Sequence, residues 1–276
     1  MALADSKNLS STPTGLSAGS KIPDHRVDFW QHKTSRYCLI IPVINEGDRI
    51  RAFIRRLNEH SVHQLVDIII VDGGTTDGSL EKDYLLGSNI RGMLTKLGPG
   101  KLSAQLRVAY GFALENDYEG IITIDGNNKD DPAAIKDFAE ALDQGYDFVQ
   151  ASRFVPGGRH SNTPLSRYLA IKLIHAPLLS LASGFAWTDT TQGFRAYSAR
   201  ALNDERVNPF RDIFIDYELL AYLSYRLPKL NYRCIELPTV RDYPEGEVPT
   251  KISAFRGNFA LIKTLAKTCL RRYDPD

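Results

Sequence analysis

Two oxygen-bearing side chains flank one small residue in Asp125-Gly126-Asn127, directly after the apolar run Gly120-Ile-Ile-Thr-Ile124. Side chains so spaced can both reach one hard cation, and a divalent cation there would neutralise a diphosphate leaving group. Taken alone, the same spacing also serves as an ordinary surface turn. A second segment, Asp72-Gly-Gly-Thr-Thr-Asp-Gly78, likewise follows an apolar run. Its glycines admit a ligand close to the backbone, and its acid and hydroxyls offer contacts to a base or ribose. The plainer alternative is a glycine-rich turn. Neither the three-glycine dinucleotide fingerprint nor a Gly-Lys-Ser/Thr phosphate loop is present, which argues against a dehydrogenase or a P-loop enzyme.

These segments need elements to hold them. Tyr37-Cys-Leu-Ile-Ile-Pro-Val43, Val66 to Val71, Gly120 to Ile124 and Asp147 to Ala151 are compact runs rich in β-formers and are expected as buried strands. Between them, Ile50, Phe53, Ile54 and Leu57 recur at helical spacing, and Leu102 to Leu114 and Pro132 to Leu142 are expected as further helices. Strand and helix in alternation predict an α/β fold with a mostly parallel sheet flanked by helices, in which ligands sit beyond the carboxyl ends of the strands. Pro42 to Glu46, Asp72 to Gly78, Asp125 to Lys129 and Ser152-Arg153 therefore converge on one edge. Further on, Leu165 to Phe185 is a long apolar stretch, Phe214 to Leu227 is expected to be helical, and Ile252 to Leu270 carries an apolar stripe with basic residues elsewhere.

The 276 residues carry 34 Lys+Arg against 33 Asp+Glu, a balance that argues against a nucleic-acid partner. Three well-separated cysteines, Cys38, Cys234 and Cys269, form neither a disulfide framework nor a zinc signature and point to a reducing cytoplasm. No apolar run reaches the roughly 20 residues of a spanning helix. The chain divides into a mobile tail and lead-in over 1–36, one domain over 37–250, and a basic amphipathic helix over 251–276 that packs on the domain or on a membrane surface.

In order along the chain, these segments resemble the family-two glycosyltransferases of the GT-A (Rossmann-like) fold, in particular the branch acting on dolichyl or polyprenyl phosphate. Pro42-Val-Ile-Asn-Glu46 resembles the opening Pro-x-x-Asn-Glu motif, and Val71 to Ser79 is similar to the nucleotide-base motif. Asp125-Gly-Asn127 falls at the Asp-x-Asp position, while Ser152 to Gly158 and Asp189-Thr-Thr-Gln-Gly-Phe-Arg195 match later motifs. The resemblance implies an inverting transferase moving a sugar from a UDP- or GDP-sugar to a polyprenyl or dolichyl phosphate. It implies a nucleotide-sugar pocket of Pro42, Asn45, Glu46, Asp72, Gly74, Lys101 and Asp125, and catalytic residues Asp125, Asn127, Asp189 and Arg195. It also implies Mg²⁺ or Mn²⁺ on Asp125 and Asn127, and acceptor-phosphate contacts from Arg153, Arg167 and Lys251.

One departure bears on the cofactor. The family's second metal-site aspartate is here Asn127, and Lys129 stands where the branch offers a neutral or acidic ligand. Loss of an anion and gain of a cation weaken metal binding, or let Lys129 take over part of the metal's charge. The acceptor class also sets the need for a base. A phosphate acceptor is already an anion, whereas a hydroxyl acceptor (a glycan or small molecule) needs a carboxylate base, with Asp189 first and Asp216 and Glu218 behind it. A sugar-phosphate nucleotidyltransferase and a non-catalytic nucleotide-sugar binder are the rival readings. Lipid-phosphate transfer would place the chain at the cytoplasmic face of a membrane, held by Leu165 to Phe185, by the basic C-terminal helix, or by an anchoring partner.

Overall fold

The computed structural model describes residues 19–243 and 256–275, with the side chains of 256–259 outside that description. The expected tail over the first 18 residues, and Lys251 in its Thr-Lys-Ile segment, lie outside the described residues. The strands are β1 (His25–Trp30), β2 (Tyr37–Val43), β3 (Asp67–Asp72), β4 (Gly92–Lys96), β5 (Gly120–Thr123), β6 (Phe148–Ser152), β7 (Arg159–Ser161), β8 (Arg195–Ser198), β9 (Cys234–Pro238) and β10 (Val240–Asp242). The helices are α1 (Asp48–Glu59), α2 (Lys82–Gly87), α3 (Leu102–Glu115), α4 (Ile135–Asp143), α5 (Leu165–Ala170), α6 (Ala176–Ser183), α7 (Ala199–Leu202), α8 (Glu218–Lys229) and α9 (Arg256–Cys269).

Among the described residues, eight strands form one sheet in the order β1-β4-β3-β2-β5-β8-β6-β9, and β10 pairs with β7 beside it. Strands β2 through β6 and β9 run in one direction, whereas β1 and β8 run against it. The alternation of side chains across the pleat explains why both faces must be covered. Cys38, Ile40, Ile69 and Val71 pack with α3 and α8 on one face, while Leu39, Ile41, Ile68 and Ile70 pack with α1 and α4 on the other. Helix α3 is buried without a break from Ser103 to Leu114, which is why it lacks an exposed polar stripe.

The lead-in before Tyr37 contributes more than a linker. β1 forms the sheet edge by antiparallel pairing with β4, and Asp67 ties the following loop down by accepting from Thr34 N at 2.8 Å and Tyr118 Oη at 2.6 Å. Helix α8 starts at Glu218 rather than at Phe214, because Phe214 is fully buried and Glu218 Oε2 accepts from Ile215 N and Asp216 N, closing the turn ahead of the helix. The apolar stretch after Leu165 is helical through Ser183, with one π turn over Ile171–His175 in which Ala176 N–H donates to the Ile171 carbonyl five residues back.

Candidate active site

The carboxyl ends of β2, β3, β5 and β6 open on one edge, as the alternating pattern predicts, and that of β9 joins them beside β6. At the β2 and β3 ends, Gln105 of α3 donates through Nε2 to the carbonyls of Val43 (3.0 Å) and Val71 (2.9 Å), holding the two strand ends together. Gly73 sits against that amide, and a Cβ there would come within 3.0 Å of Gln105 Nε2. The two loops are then stitched to each other. Asn45 Oδ1 accepts from Thr76 N at 2.8 Å, Asp77 Oδ2 accepts from Gly47 N at 2.8 Å, and Asp72 Oδ1 accepts from Thr75 N at 2.8 Å. Asn45 and Gly74 take positive φ values of 47° and 103° to make these turns. Pro42 and Glu46 lie on the same edge, with Arg49 Nε donating to Glu46 at 3.0 Å. A cavity of about 400 Å³ opens here, lined by Asp72, Gly74, Thr75, Thr76, Met93 and Thr95 among others. A larger one of about 730 Å³ lies at the opposite edge, by Asp147 and Arg233. Its Arg200 and Arg206 are already paired with Asp147 and Asp204, so chemistry is better placed at the carboxyl edge.

Asp125 lies just beyond β5, at the centre of that edge. A Cβ on Gly193 would fall on its Oδ1, so the Asp189-to-Arg195 segment needs glycine at this point to pass beside the carboxylate. Asp125 Oδ2 accepts from Arg241 Nη2 at 3.1 Å, and Arg241 Nη1 pairs with the fully buried Asp130. Asn127 lies with Nδ2 3.4 Å from Asp125 Oδ2 and with Oδ1 accepting from Lys129 N at 3.3 Å.

Arg241 and Tyr243 were not among the expected site residues. Arg241 lies in β10 and Tyr243 directly after it, beyond the half-buried β9, and no pattern in the local sequence singles them out. The Tyr243 ring is surrounded by cations, with Lys129 Nζ, Arg167 Cζ and Arg241 Cζ at 4.8, 5.5 and 5.8 Å from its centre. Its hydroxyl accepts from Arg167 Nη1 at 2.9 Å. Burial opposes ionisation of this phenol, but Arg241, Arg167 and Arg153 outweigh it and bring the group down to about 8. An absorbance titration is therefore expected to show one tyrosine ionising near pH 8, a step that Tyr243→Phe removes; a first ionisation no lower than the ordinary value of about 10 would contradict the cation cluster. Burial, followed by Arg241, lowers the Lys129 ammonium below the usual lysine range.

Arg153 and Asp189, expected separately as an acceptor-phosphate contact and a candidate base, meet each other. They form a buried pair, Nε to Oδ2 at 2.7 Å, with side chains 1% and 0% exposed. Gln192 Nε2 and Thr191 Oγ1 also donate to the same carboxylate, at 2.8 and 3.0 Å. Burial alone would raise the Asp189 carboxyl, yet Arg153 and Gln192 hold it below the usual range. It is thus a poor proton acceptor and has no open face. Arg153 Nη1, by contrast, is a buried donor without a hydrogen-bond partner among the described residues. Behind the pair, burial raises Glu236 to about 7 while its carboxylate accepts from Thr188 N and Asp189 N.

Three other expectations land elsewhere. Arg195 is fully buried and donates to the carbonyls of Gln192 (2.8 Å), Thr190 (2.8 Å) and Leu220 (2.7 Å), so it positions the Asp189 loop against α8. Lys101 is directed to Asp216, at 3.4 Å. Asp216 and Glu218 serve that contact and the start of α8 rather than the Asp125 edge.

Asp125 and Asn127 do not offer the two carboxylates of an Asp-x-Asp cation site. Among the described residues no three His, Cys, Asp or Glu side chains come together for a metal. Asp125 is the single carboxylate of the pair, and a guanidinium already engages it.

A family model for glycosyl transferase family 2 matches residues 38–205. The chain belongs to glycosyl transferase family 2. It is accordingly an enzyme, a glycosyltransferase that uses a nucleotide-activated sugar. Curated relatives include the polyprenol monophosphomannose synthase of Mycolicibacterium smegmatis, 28% identical over 74% of this chain and 77% of that protein. The dolichyl-phosphate hexose transferase of Haloferax volcanii is 27% identical over 78% of this chain and 92% of its own length. Among solved structures, glucosyl-3-phosphoglycerate synthase from Mycobacterium tuberculosis, in complex with Mn²⁺, UDP and glucosyl-3-phosphoglycerate, aligns with a TM-score of 0.57. That alignment has 17% identity and covers 88% of this chain and 81% of the other. The likeness shows the GT-A fold for this family-2 transferase.

Proposed function

We propose that this family-2 transferase moves a hexose from a nucleoside-diphosphate sugar to a polyprenyl phosphate, inverting the anomeric carbon, at a lipid surface. The observation that carries the reading is the convergence of Lys129, Arg153, Arg167 and Arg241 around Tyr243, beside Asp125 and below the nucleotide-side loops. Four cations at one edge suit two phosphate groups, the leaving diphosphate and the attacking monophosphate. Arg153 offers its unpartnered Nη1, and Arg167 stands on the other side of the Tyr243 ring, so a forked donor meets the acceptor phosphate from either side. A phosphate oxygen attacks the anomeric carbon without prior deprotonation as the nucleoside diphosphate leaves from the opposite face. No general base is then required, which accords with the closed environment of Asp189. The names of the curated relatives, which act on polyprenol- and dolichyl-linked phosphates, point the same way.

The lipid chain needs a surface to lie on. No helix among the described residues is long and apolar enough to cross a membrane. The helix starting at Leu165 instead exposes Leu165, Leu169, Leu173 and Leu181, at 70%, 43%, 70% and 85%. Its other side carries Arg167 into the site. Packed beside α6, α9 exposes Ile262, Lys263 and Lys267, and the turn that follows it exposes Leu270, Arg271 and Arg272. Apolar residues edged by lysine and arginine match a bilayer with anionic headgroups. Each leucine buried is worth about 1.5–3 kcal/mol. Leu173→Glu/Leu181→Glu is therefore expected to weaken binding to phosphatidylglycerol vesicles by about 100-fold, with the melting temperature unchanged. Vesicle binding equal to wild type would remove this face from the proposal.

The reaction is tested by nucleoside-diphosphate release from UDP- and GDP-hexoses with and without short polyprenyl phosphate. Release that depends on the lipid supports the reading. Release unaffected by lipid but stimulated by a hydroxyl acceptor overturns it.

A further inference from the structure

The Asp125 edge shows a disagreement with the cofactor its family suggests, and the disagreement has a pattern. In an Asp-x-Asp loop, two carboxylates offset the two charges of a divalent cation. Here position 127 is a neutral amide and position 129 an ammonium, so Asp125 is the one carboxylate among the three alternate positions 125, 127 and 129. Arg241 adds a second fixed cation. Its strand is anchored to the same loop, with Asp131 N donating to the Val240 carbonyl at 3.2 Å and Asp242 N to the Lys129 carbonyl at 2.9 Å. The guanidinium is thereby held across Asp125 and Asp130, with its side chain 8% exposed. Asn127 is turned so that its amide nitrogen faces Asp125, which presents a donor where a metal ligand must present an oxygen. A metal ion arriving at Asp125 would have to displace one cation and stand beside another.

We infer that Lys129 and Arg241 take the place of the divalent cation, so that this transferase binds its nucleoside diphosphate, and stabilises it as a leaving group, without metal. The inference rests on the proposed nucleoside-diphosphate donor. The group transfer is unchanged by it: the anomeric carbon–oxygen bond to the diphosphate breaks, the electron pair leaves with that oxygen, and the two side chains hold the resulting charge by hydrogen bonds and Coulomb attraction. A forked guanidinium and an ammonium provide this without a metal's need for carboxylate ligands.

The test is calorimetric titration of UDP and GDP into the full chain, in EDTA and in Mn²⁺, read alongside the paramagnetic resonance signal of free Mn²⁺. Wild type is expected to bind its preferred nucleotide equally in both buffers, within about threefold, with no Mn²⁺ taken up beyond that held by the nucleotide itself. Lys129→Met is expected to lose at least about tenfold in affinity in EDTA, with no recovery in Mn²⁺, while Lys129→Arg keeps the affinity. Asn127→Asp/Lys129→Gln, which rebuilds a two-carboxylate donor set, is expected to bind at least about tenfold more tightly in Mn²⁺ than in EDTA. Tight wild-type binding only in Mn²⁺ overturns this inference and leaves the donor reading standing. No binding of either nucleotide in either buffer overturns both. Circular dichroism of each variant separates loss of the site from loss of the fold.

Discussion

Replacing Asp189 with alanine is expected to lower the melting temperature by roughly 6–20 °C, the shift that about 3–5 kcal/mol produces in a domain of this size. The size follows from what the substitution leaves behind. Arg153 is 1% exposed, and its partner carboxylate accepts from Arg153, Gln192 and Thr191. Deleting that carboxylate strands a buried guanidinium and takes one partner each from the Gln192 amide, which keeps the Ala151 carbonyl, and from the Thr191 hydroxyl. Asp189→Asn keeps the shape and part of the hydrogen bonding but not the charge, and is expected to fall between wild type and alanine. The pH dependence has a definite sign. Asp189 is held below its ordinary value in the folded chain, so its contribution is present above the unfolded carboxylate value of about 3.9 and is lost as pH falls through the folded one. Denaturation curves of wild type and Asp189→Ala should therefore converge below about pH 4. If the variant is as stable as wild type at neutral pH, Asp189 is not the anchor of this loop, and its role as a base reopens.

The pair also marks where the sequence stops being informative. Asp72 and Asp125 were legible because each closes an apolar run, and a run of β-formers ending on an acid places that acid at a strand's carboxyl end whatever surrounds it. The four converging loops followed from the same pattern. By contrast, Arg153 and Asp189 lie 36 residues apart, and nothing local distinguishes an arginine that meets phosphate from one that meets a buried aspartate. Arg195 carries the same ambiguity, resolved only by the carbonyls of the loop and of α8 around it. β1 escaped notice because His25, Arg26 and Asp28 interrupt its apolar residues, as suits an edge strand. β10 is three residues long and owes its register to β7 and to the Asp130 bridge, both distant in sequence. Tertiary pairing, rather than propensity, built that corner, and it is the corner that delivers Arg241.

Arg241→Met is expected to do two separable kinds of damage. The first is to stability. Asp130 is fully buried and, with burial outweighing the pull of Arg241, already sits above the ordinary carboxylate range. Without the guanidinium its charge has no partner, a loss of about 3–5 kcal/mol. The group must then stay protonated in the folded chain, so this deficit should grow as pH rises past the raised value that Asp130 holds in wild type, and be larger at pH 8 than at pH 5. The second is to turnover. On the proposal that Arg241 faces the leaving diphosphate, its loss should slow sugar transfer by about 10²- to 10³-fold, the scale seen when one preorganised donor to a developing negative charge is removed. Asp130→Asn in the same chain tells the two apart. It discharges the stranded carboxylate, so Arg241→Met/Asp130→Asn should regain most of the melting temperature and flatten the pH dependence. It returns no cation to the Asp125 edge, so turnover should stay low. Recovery of both together would mean that Arg241 acts only by holding Asp130, and the charge on the leaving group would have to be met by Lys129 alone.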